Sequence, residues 1–312
     1  MNMDIFLNIV RVCTIVGLVA VINSKVLAMD SDAHPTDMNT NSILVFDRLE
    51  SEAKIAKKYR VIKDLRVSGS GQFSADELYK LLVAIPAPKN HIWIIDLRQE
   101  SHGFIDGIPI SWYKNQNTGN INKTASQIKK EEEKLLTDLS KQKSVAVYTL
   151  RKLDDGNVMV DRPTTMIPEL VESEEQLVTS LGAHYKRLYV LDHNKPDDQE
   201  VDSFIDFILK VKAQDWLHFH CRGGKGRSST FIAMYDIILN SQKSTFVQIM
   251  QRQAKLGNIK LNELPTSKNK LWKSAAAKER YEFLKRFYIY VIDPAGYATH
   301  SWAAWNAAKT AN

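Results

Sequence analysis

Residues 216–239 constrain this chain more than any other stretch. Trp216-Leu217-His218-Phe219-His220 reads as a β-strand, and Ser229–Leu239 carries apolar residues at helical spacing. Between them runs Cys221-Arg222-Gly223-Gly224-Lys225-Gly226-Arg227-Ser228. A strand that feeds a helix through a glycine-rich loop aims the loop's N–H groups and the helix N-terminus at one spot, a natural seat for an anion. Such a strand also needs a sheet to join. Further runs rich in β-branched and aromatic residues lie at His91–Leu97, Val145–Leu150 and Leu188–Leu191. Helical patterns fall at Ala75–Ile85, Ser126–Ser140, Pro168–Leu181, Val201–Lys212 and Lys278–Ile292, with Phe204, Ile205, Ile208 and Val211 forming one apolar face. This alternation predicts an α/β layer fold with a mainly parallel sheet. At 312 residues the chain can bury a sizeable core without disulfides.

The N-terminus has a different character. Val12–Ile22 is an eleven-residue apolar stretch, too short to span a bilayer but suited to the core of a signal peptide. Val26-Leu27-Ala28 follows as a small-x-small cleavage site, so residues 1–28 are expected to be a signal, 29–45 a flexible leader and 46–312 the functional domain. An exported protein, periplasmic or secreted and with no stable membrane anchor once the signal is removed, is the expectation. Cys13 would leave with that signal, and Cys221, the second of only two cysteines, would remain without a disulfide partner. The net charge of +6 is too mild for a nucleic-acid footprint but favours an anionic partner. Tyr281, Phe283, Phe287, Tyr288 and Tyr290 read as helix core, because no alternation of basic and aromatic residues tracks a nucleic-acid strand.

The loop sets out a chemistry. Cys221 at its start faces backbone amides and a helix N-terminus, which favour thiolate over thiol and make it a nucleophile. Arg227 can return to the loop and hold two phosphoryl oxygens with a bidentate fork. Ser228 can hydrogen-bond the sulfur and ease its departure from a phosphocysteine, and His220 can order the loop from behind. A zinc site at His218, His220 and Cys221 would need another ligand and a different alternation along the strand, and the Walker spacing for a nucleotide loop is not met. No metal or cofactor is expected. A phosphocysteine route also needs a proton donor, and Asp192, ahead of the polar turn His193-Asn194-Lys195-Pro196, is the best candidate. Asp197 and Asp198 are explained as dipole partners of the helix that follows. Asp96, Arg98, Glu100 and His102 read as a buried polar network in preference to catalytic groups.

The loop with its preceding Trp-Leu-His-Phe-His, together with Asp192-His193-Asn194-Lys195-Pro196, resembles the protein-tyrosine-phosphatase-like inositol phosphatases, the cysteine phytases of bacteria. Ser68–Ser74 (SGSGQFS), Asp96–Gly103 (DLRQESHG) and Ser111-Trp112-Tyr113 are similar to that family as well, so the likeness covers most of the chain after residue 45. The resemblance implies a phosphatase sheet flanked by helices with a smaller β-rich portion. It implies stepwise hydrolysis of myo-inositol hexakisphosphate through a phosphocysteine, with phosphoinositide lipids or phosphotyrosine proteins as alternative substrates. A phosphate-binding module without activity is disfavoured, since Cys221, Arg227 and Asp192 are all present. By residue, the resemblance implies substrate contacts from the loop (Arg222, Gly223, Gly224, Lys225, Gly226), from His193, and from the outer cations Lys152, Lys273, Arg280 and, more loosely, Arg60. Ala275-Ala276-Ala277 depart from the family's aromatic residues, and Arg222 and Lys225 are unusual loop cations suited to a substrate with several phosphates.

Overall fold

A computed structural model describes residues 42–48, 55–152, 158–257, 260–263 and 271–310. The expected signal and most of the expected leader lie outside these residues. In chain order the first strands are β1 (Ile43–Phe46), β2 (Arg60–Ile62) and β3 (Val67–Ser70), followed by helix α1 (Ala75–Ala84), β4 (Ile92–Asp96), β5 (His102–Ile105), β6 (Ile108–Tyr113) and α2 (Ala125–Ser140). Five short strands come next, β7 (Val145–Val147), β8 (Leu150–Lys152), β9 (Val158–Val160), β10 (Thr164–Met166) and β11 (Val171–Glu172). The chain then runs through α3 (Glu174–Ser180), β12 (His184–Arg187), α4 (Asp198–Ile208), β13 (Trp216–His220), α5 (Gly226–Asn240), α6 (Phe246–Gly257), α7 (Leu271–Ile292) and α8 (Trp302–Thr310).

The main sheet has the order β12-β4-β13-β3-β2, parallel except for β2 at its edge. Strand β13 lies at its centre and is buried along its whole length. Alternation along the strand divides its side chains. Leu217, Phe219 and Cys221 join a core with Ile95, Phe204, Phe231, Phe287 and Trp302, which covers one face with α4, α5, α7 and α8. Trp216 packs on the other face with Ile92, Ile94, Leu78, Leu81 and Leu177 from α1 and α3. His218 shares that second side, fixed between Ser68 Oγ at 2.9 Å and Ser70 Oγ at 3.0 Å. Each fully buried Leu or Phe contributes roughly 1.5–3 kcal/mol, so the central strand is held firmly where the loop leaves it.

A second sheet, β1-β6-β5-β11, is antiparallel and packs Phe46, Ile105 and Ile110 with Val147 and Met166 from the pair β7–β10. This is the smaller β-rich portion. The leader boundary moves accordingly: Ile43, Leu44 and Val45 belong to β1, paired with Tyr113, Trp112 and Ser111, and Val45 is fully buried.

Other expectations shift as well. Leu188–Leu191 is not a strand, because the pairing with β4 is made by His184–Arg187 and the chain then turns away, with Leu188 and Val190 as buried anchors. The helix expected from Pro168 begins at Glu174, where Ser173 and Gln176 form a capping box, while Val171 and Glu172 pair with β5. Helix α4 begins at Asp198, capped by Asp197, whose side chain accepts the Glu200 N–H at 2.8 Å.

Candidate active site

The segments that follow β3, β4, β12 and β13 leave the main sheet at the carboxyl ends of those strands, where open α/β sheets bind ligands. The segment after β13 is the cysteine loop. Gly224 has a φ of +65°, and an added Cβ there would lie 2.3 Å from the Gly71 nitrogen, so only glycine lets the loop press against the turn after β3. That contact is secured by Gln72, whose N–H donates to the Arg222 carbonyl at 3.2 Å. Among the described residues, the backbone N–H groups of Gly223, Gly224, Lys225 and Gly226 have no backbone acceptor, and α5 starts without a side-chain cap. Uncapped amides gathered at the start of a fifteen-residue helix make an anion cradle.

Cys221 is buried at the base of this cradle. The Ser228 hydroxyl donates to its sulfur at 3.2 Å. The guanidiniums of Arg227, Arg60 and Arg280 all lie within electrostatic reach of the sulfur. Arg227 is itself 2 % exposed and held on several sides. Its Nη1 donates to Glu100 Oε2 at 2.7 Å and to the Val190 carbonyl at 3.0 Å, and its Nη2 donates to Glu100 Oε1 at 2.9 Å. Glu100 also accepts from Arg98 Nε at 3.0 Å. Burial works against a charge on Glu100, but Arg227 and Arg98 outweigh it and hold the carboxyl far below its ordinary range.

Asp192 joins the same group from the segment after β12. Its Oδ1 is 3.1 Å from Arg227 Nη2 and accepts the His193 N–H at 3.0 Å, and its Oδ2 accepts from Asn117 Nδ2 at 2.8 Å. Burial favours the neutral acid, but Arg227, His193 and the Asn117 donor prevail and hold Asp192 below the usual carboxylate range. His193 has a left-handed backbone, with φ of 66°, and its ring meets the Trp272 ring edge-on at 4.9 Å. Arg280 donates to the His193 carbonyl and lies beside Gly226. Lys273 lies over the Trp272 ring and within electrostatic reach of His193.

The remaining expected residues are dispersed around this centre. Gly223 and Lys225 are exposed on the loop. Arg222 turns toward the smaller sheet, with Nε 2.8 Å from Asp47 Oδ1 and its guanidinium over Tyr113. Arg60 lies under the loop and not on an outer rim: it donates to the Gly224 carbonyl and to Ser229 Oγ, each at 2.9 Å. Lys152 ends β8, and its side chain lies outside the described residues. His220 reaches away from the sulfur, with Nε2 2.6 Å from Glu174 Oε1, in a buried layer with Asp96 and His102. Asp96, Glu174 and His220 have ligand atoms close enough together to hold a cation. As it stands, the layer balances its charges internally: burial opposes a proton on His102, yet Asp96 draws its pKa up to about 10.

The polar-network reading of Asp96, Arg98, Glu100 and His102 agrees with their burial but understates Glu100, which grips Arg227. Asn117 was not legible in the sequence at all, because its partner is 75 residues away.

The comparisons with known proteins agree with this geometry. Residues 95–239 match the model of the PTP-like phytase family, described by the words inositol hexakisphosphate. The structure of a PTP-like phytase from Bdellovibrio bacteriovorus is 32% identical, with a TM-score of 0.70, covering 89% of this chain and 98% of that one. This chain belongs to the PTP-like phytase family. A PTP-like myo-inositol phosphatase from Mitsuokella multacida, in complex with myo-inositol-(1,3,4,5)-tetrakisphosphate, is similar with a TM-score of 0.80 at 29% identity, over 92% of this chain and 49% of that one. The effector protein hopD2 of Pseudomonas syringae pv. tomato is 27% identical over 252 residues, 79% of this chain and 52% of that protein. The chain spans about half the length of the Mitsuokella and Pseudomonas relatives.

Proposed function

We propose that this protein is a cysteine-dependent phosphatase that removes phosphate stepwise from myo-inositol hexakisphosphate. The observation that carries this reading is the convergence of three elements on one spot: Cys221 under the uncapped start of α5, Arg227 gripped by Glu100, and Asp192 3.1 Å from Arg227. In the first step the Cys221 thiolate attacks phosphorus, the S–P bond forms and the P–O bond to the ring breaks. Asp192 delivers its proton to the departing oxygen. The loop amides and Arg227 hold the equatorial oxygens, supplying the electrostatic stabilisation at the transferring phosphoryl group. In the second step water attacks phosphorus, Asp192 takes its proton and the S–P bond breaks, with the Ser228 hydroxyl stabilising the leaving thiolate.

Arg227 holds Asp192 toward its ionised form. A bound phosphate dianion takes over Arg227 and adds a negative neighbour, and both changes favour the protonated carboxyl that the first step needs. An inositol polyphosphate is also supported by the cations beyond the loop, and the Mitsuokella relative binds an inositol tetrakisphosphate. Export is supported by the apolar stretch Val12–Ile22, and no helix among the described residues is long and apolar enough to cross a membrane.

The test is phosphate release from inositol hexakisphosphate, a phosphotyrosine peptide and phosphoinositide vesicles under one condition. Inositol hexakisphosphate should be turned over fastest, and Cys221→Ser should abolish turnover while binding persists. A faster rate on peptide or vesicle would shift the substrate class, and appreciable activity in Cys221→Ser would refute the nucleophile.

A further inference from the structure

We infer that Asn117 is the positioning residue of the proton donor, holding the Asp192 carboxyl over the loop when Arg227 turns to the substrate. This rests on the phosphatase reading above. Beside its chain neighbour His193, whose Nε2 lies 3.5 Å from Oδ2, Asp192 has two side-chain contacts from other elements, Arg227 on Oδ1 and Asn117 on Oδ2. Arg227 cannot keep the carboxylate and also grip a phosphoryl group with that Nη2. Once phosphate binds, Asn117 is the side chain from another element that still fixes the carboxyl plane.

The backbone around Asn117 is built for this contact. Asn117 is 4 % exposed and sits between β6 and α2. Gln116 and Asn117 are consecutive left-handed residues, with φ of 56° and 60°, a conformation that most side chains avoid and asparagine tolerates best. Left-handed residues without glycine persist only where their surroundings demand them. Here the Asn117 N–H closes on the Lys114 carbonyl at 2.7 Å. Asn120 anchors the segment by donating to the Gln99 carbonyl at 2.9 Å and to Ser101 Oγ at 3.0 Å. Gln99 in turn donates its N–H to the Val190 carbonyl, two residues before Asp192, at 3.2 Å. Both partners are therefore tied to the same segment after β4.

The chemistry of a carboxamide suits a group that changes protonation state. The N–H donates to Asp192 Oδ2, as it would to an ionised carboxylate, and Asn117 Oδ1 is buried without a hydrogen-bond partner among the described residues. Rotation of the amide by half a turn presents that oxygen to a protonated Asp192, so one side chain can orient both forms. The other charged groups acting on Asp192 are Arg227, Glu100, His193 and Arg280; His193 Nε2, 3.5 Å from the same Oδ2, can also exchange a proton, but as the next residue in the chain it moves with Asp192 and does not fix the carboxyl from outside.

The experiment uses the full chain, with inositol hexakisphosphate and p-nitrophenyl phosphate as substrates. Asn117→Gly removes the carboxamide and suits the left-handed backbone, so the fold is preserved, which a thermal melt checks. It should lower kcat on the inositol substrate about tenfold and on the aryl phosphate less than twofold, since an activated leaving group needs little protonation. In an Asp192→Asn background it should cause no further loss on either substrate. Asn117→Asp keeps the shape but sets a carboxylate against Asp192, and should move the alkaline limb of kcat/KM up by about one pH unit. Equal losses on the two substrates, a full further tenfold loss in the Asp192→Asn background, or an unmoved alkaline limb in Asn117→Asp would each overturn the assignment. If the wild type leaves inositol hexakisphosphate untouched, the substrate reading falls alone, and the comparison is made between glycerol 2-phosphate and the aryl ester.

Discussion

At the scale of residues, the site is an arrangement of buried charges in which each member is fixed by another. Arg227 can meet a phosphoryl group with a fork only if the fork already points at the loop, and Glu100 points it by accepting from both terminal nitrogens. Removing one partner of such a buried pair costs about 3–5 kcal/mol, because the other charge is left without compensation. Glu100→Gln keeps the shape and loses the charge, so Arg227 and Arg98 would share a neutral amide. The expected result is a fall in kcat/KM of about a hundredfold or more, equal on alkyl and aryl phosphates, because the phosphoryl cradle serves both alike. That equality separates Glu100 from Asp192, whose loss should weigh much more heavily on an alkyl leaving group. A loss under tenfold would mean that the Val190 and Leu97 carbonyls suffice to aim Arg227. Cys221, Arg227, Ser228 and Asp192 were legible in the sequence because they are close together in the chain or follow a strand-like run. Glu100 and Asn117 act through partners 127 and 75 residues away, and no local spacing announces such pairs.

At the scale of elements, the segment carrying Asp192 is fastened at its far end by the first turn of α4. Glu200 occupies that turn, 8 % exposed, and the Tyr189 N–H favours its charged form. Burial, with Asp197 adding to it, pushes the Glu200 carboxyl up from 4.5 to about 7 against the opposing effect of that N–H. A folded-state value above the unfolded one means that the stabilisation is complete below pH 4.5 and is lost as pH rises through 7. Wild type should therefore lose on the order of 3 kcal/mol relative to Glu200→Gln across that window and no more above it. Denaturant midpoints measured along pH for both proteins check this, and a difference independent of pH would disprove it. The same region explains a misreading of the sequence. Leu188–Leu191 has the composition of a strand, but only Leu188 and Val190 are deeply buried, as anchors of a turn, while pairing is done by the more polar His184–Arg187. Parallel pairing with β4 depends on register and polar contacts such as Tyr185 Oη to Asp96 at 3.0 Å, which apolar patterning does not encode. Where patterning did encode the fold, as in Trp216–His220, strand and boundaries agree.

For the whole molecule, the proposed substrate raises the question of how a site built for one phosphoryl group would take a ring bearing several. The smaller sheet abuts the loop: Tyr148 exchanges backbone bonds of 2.9 Å with Leu44 and Phe46, and Asp47, the residue after β1, pairs with Arg222 at 2.8 Å. Lys152 follows four residues after Tyr148. On the opposite flank α7 brings Lys273 and Arg280, seven residues and two turns apart, to the His193 side of the loop. A phosphate outside the loop that meets one of these cations gains roughly 1.5–3 kcal/mol when the contact is well formed. Lys152→Gln with Lys273→Gln should therefore raise KM for inositol hexakisphosphate at least tenfold and flatten its dependence on salt, while p-nitrophenyl phosphate hydrolysis stays within twofold of wild type. Adding Arg280→Gln should raise the inositol KM again, and in this variant alone aryl hydrolysis should fall too, because Arg280 also holds the His193 carbonyl next to Asp192. Initial rates for both substrates across a salt series decide the matter. If the double variant weakens both substrates equally, the two lysines support the loop itself, and if it weakens neither, the ring phosphates are met by other groups.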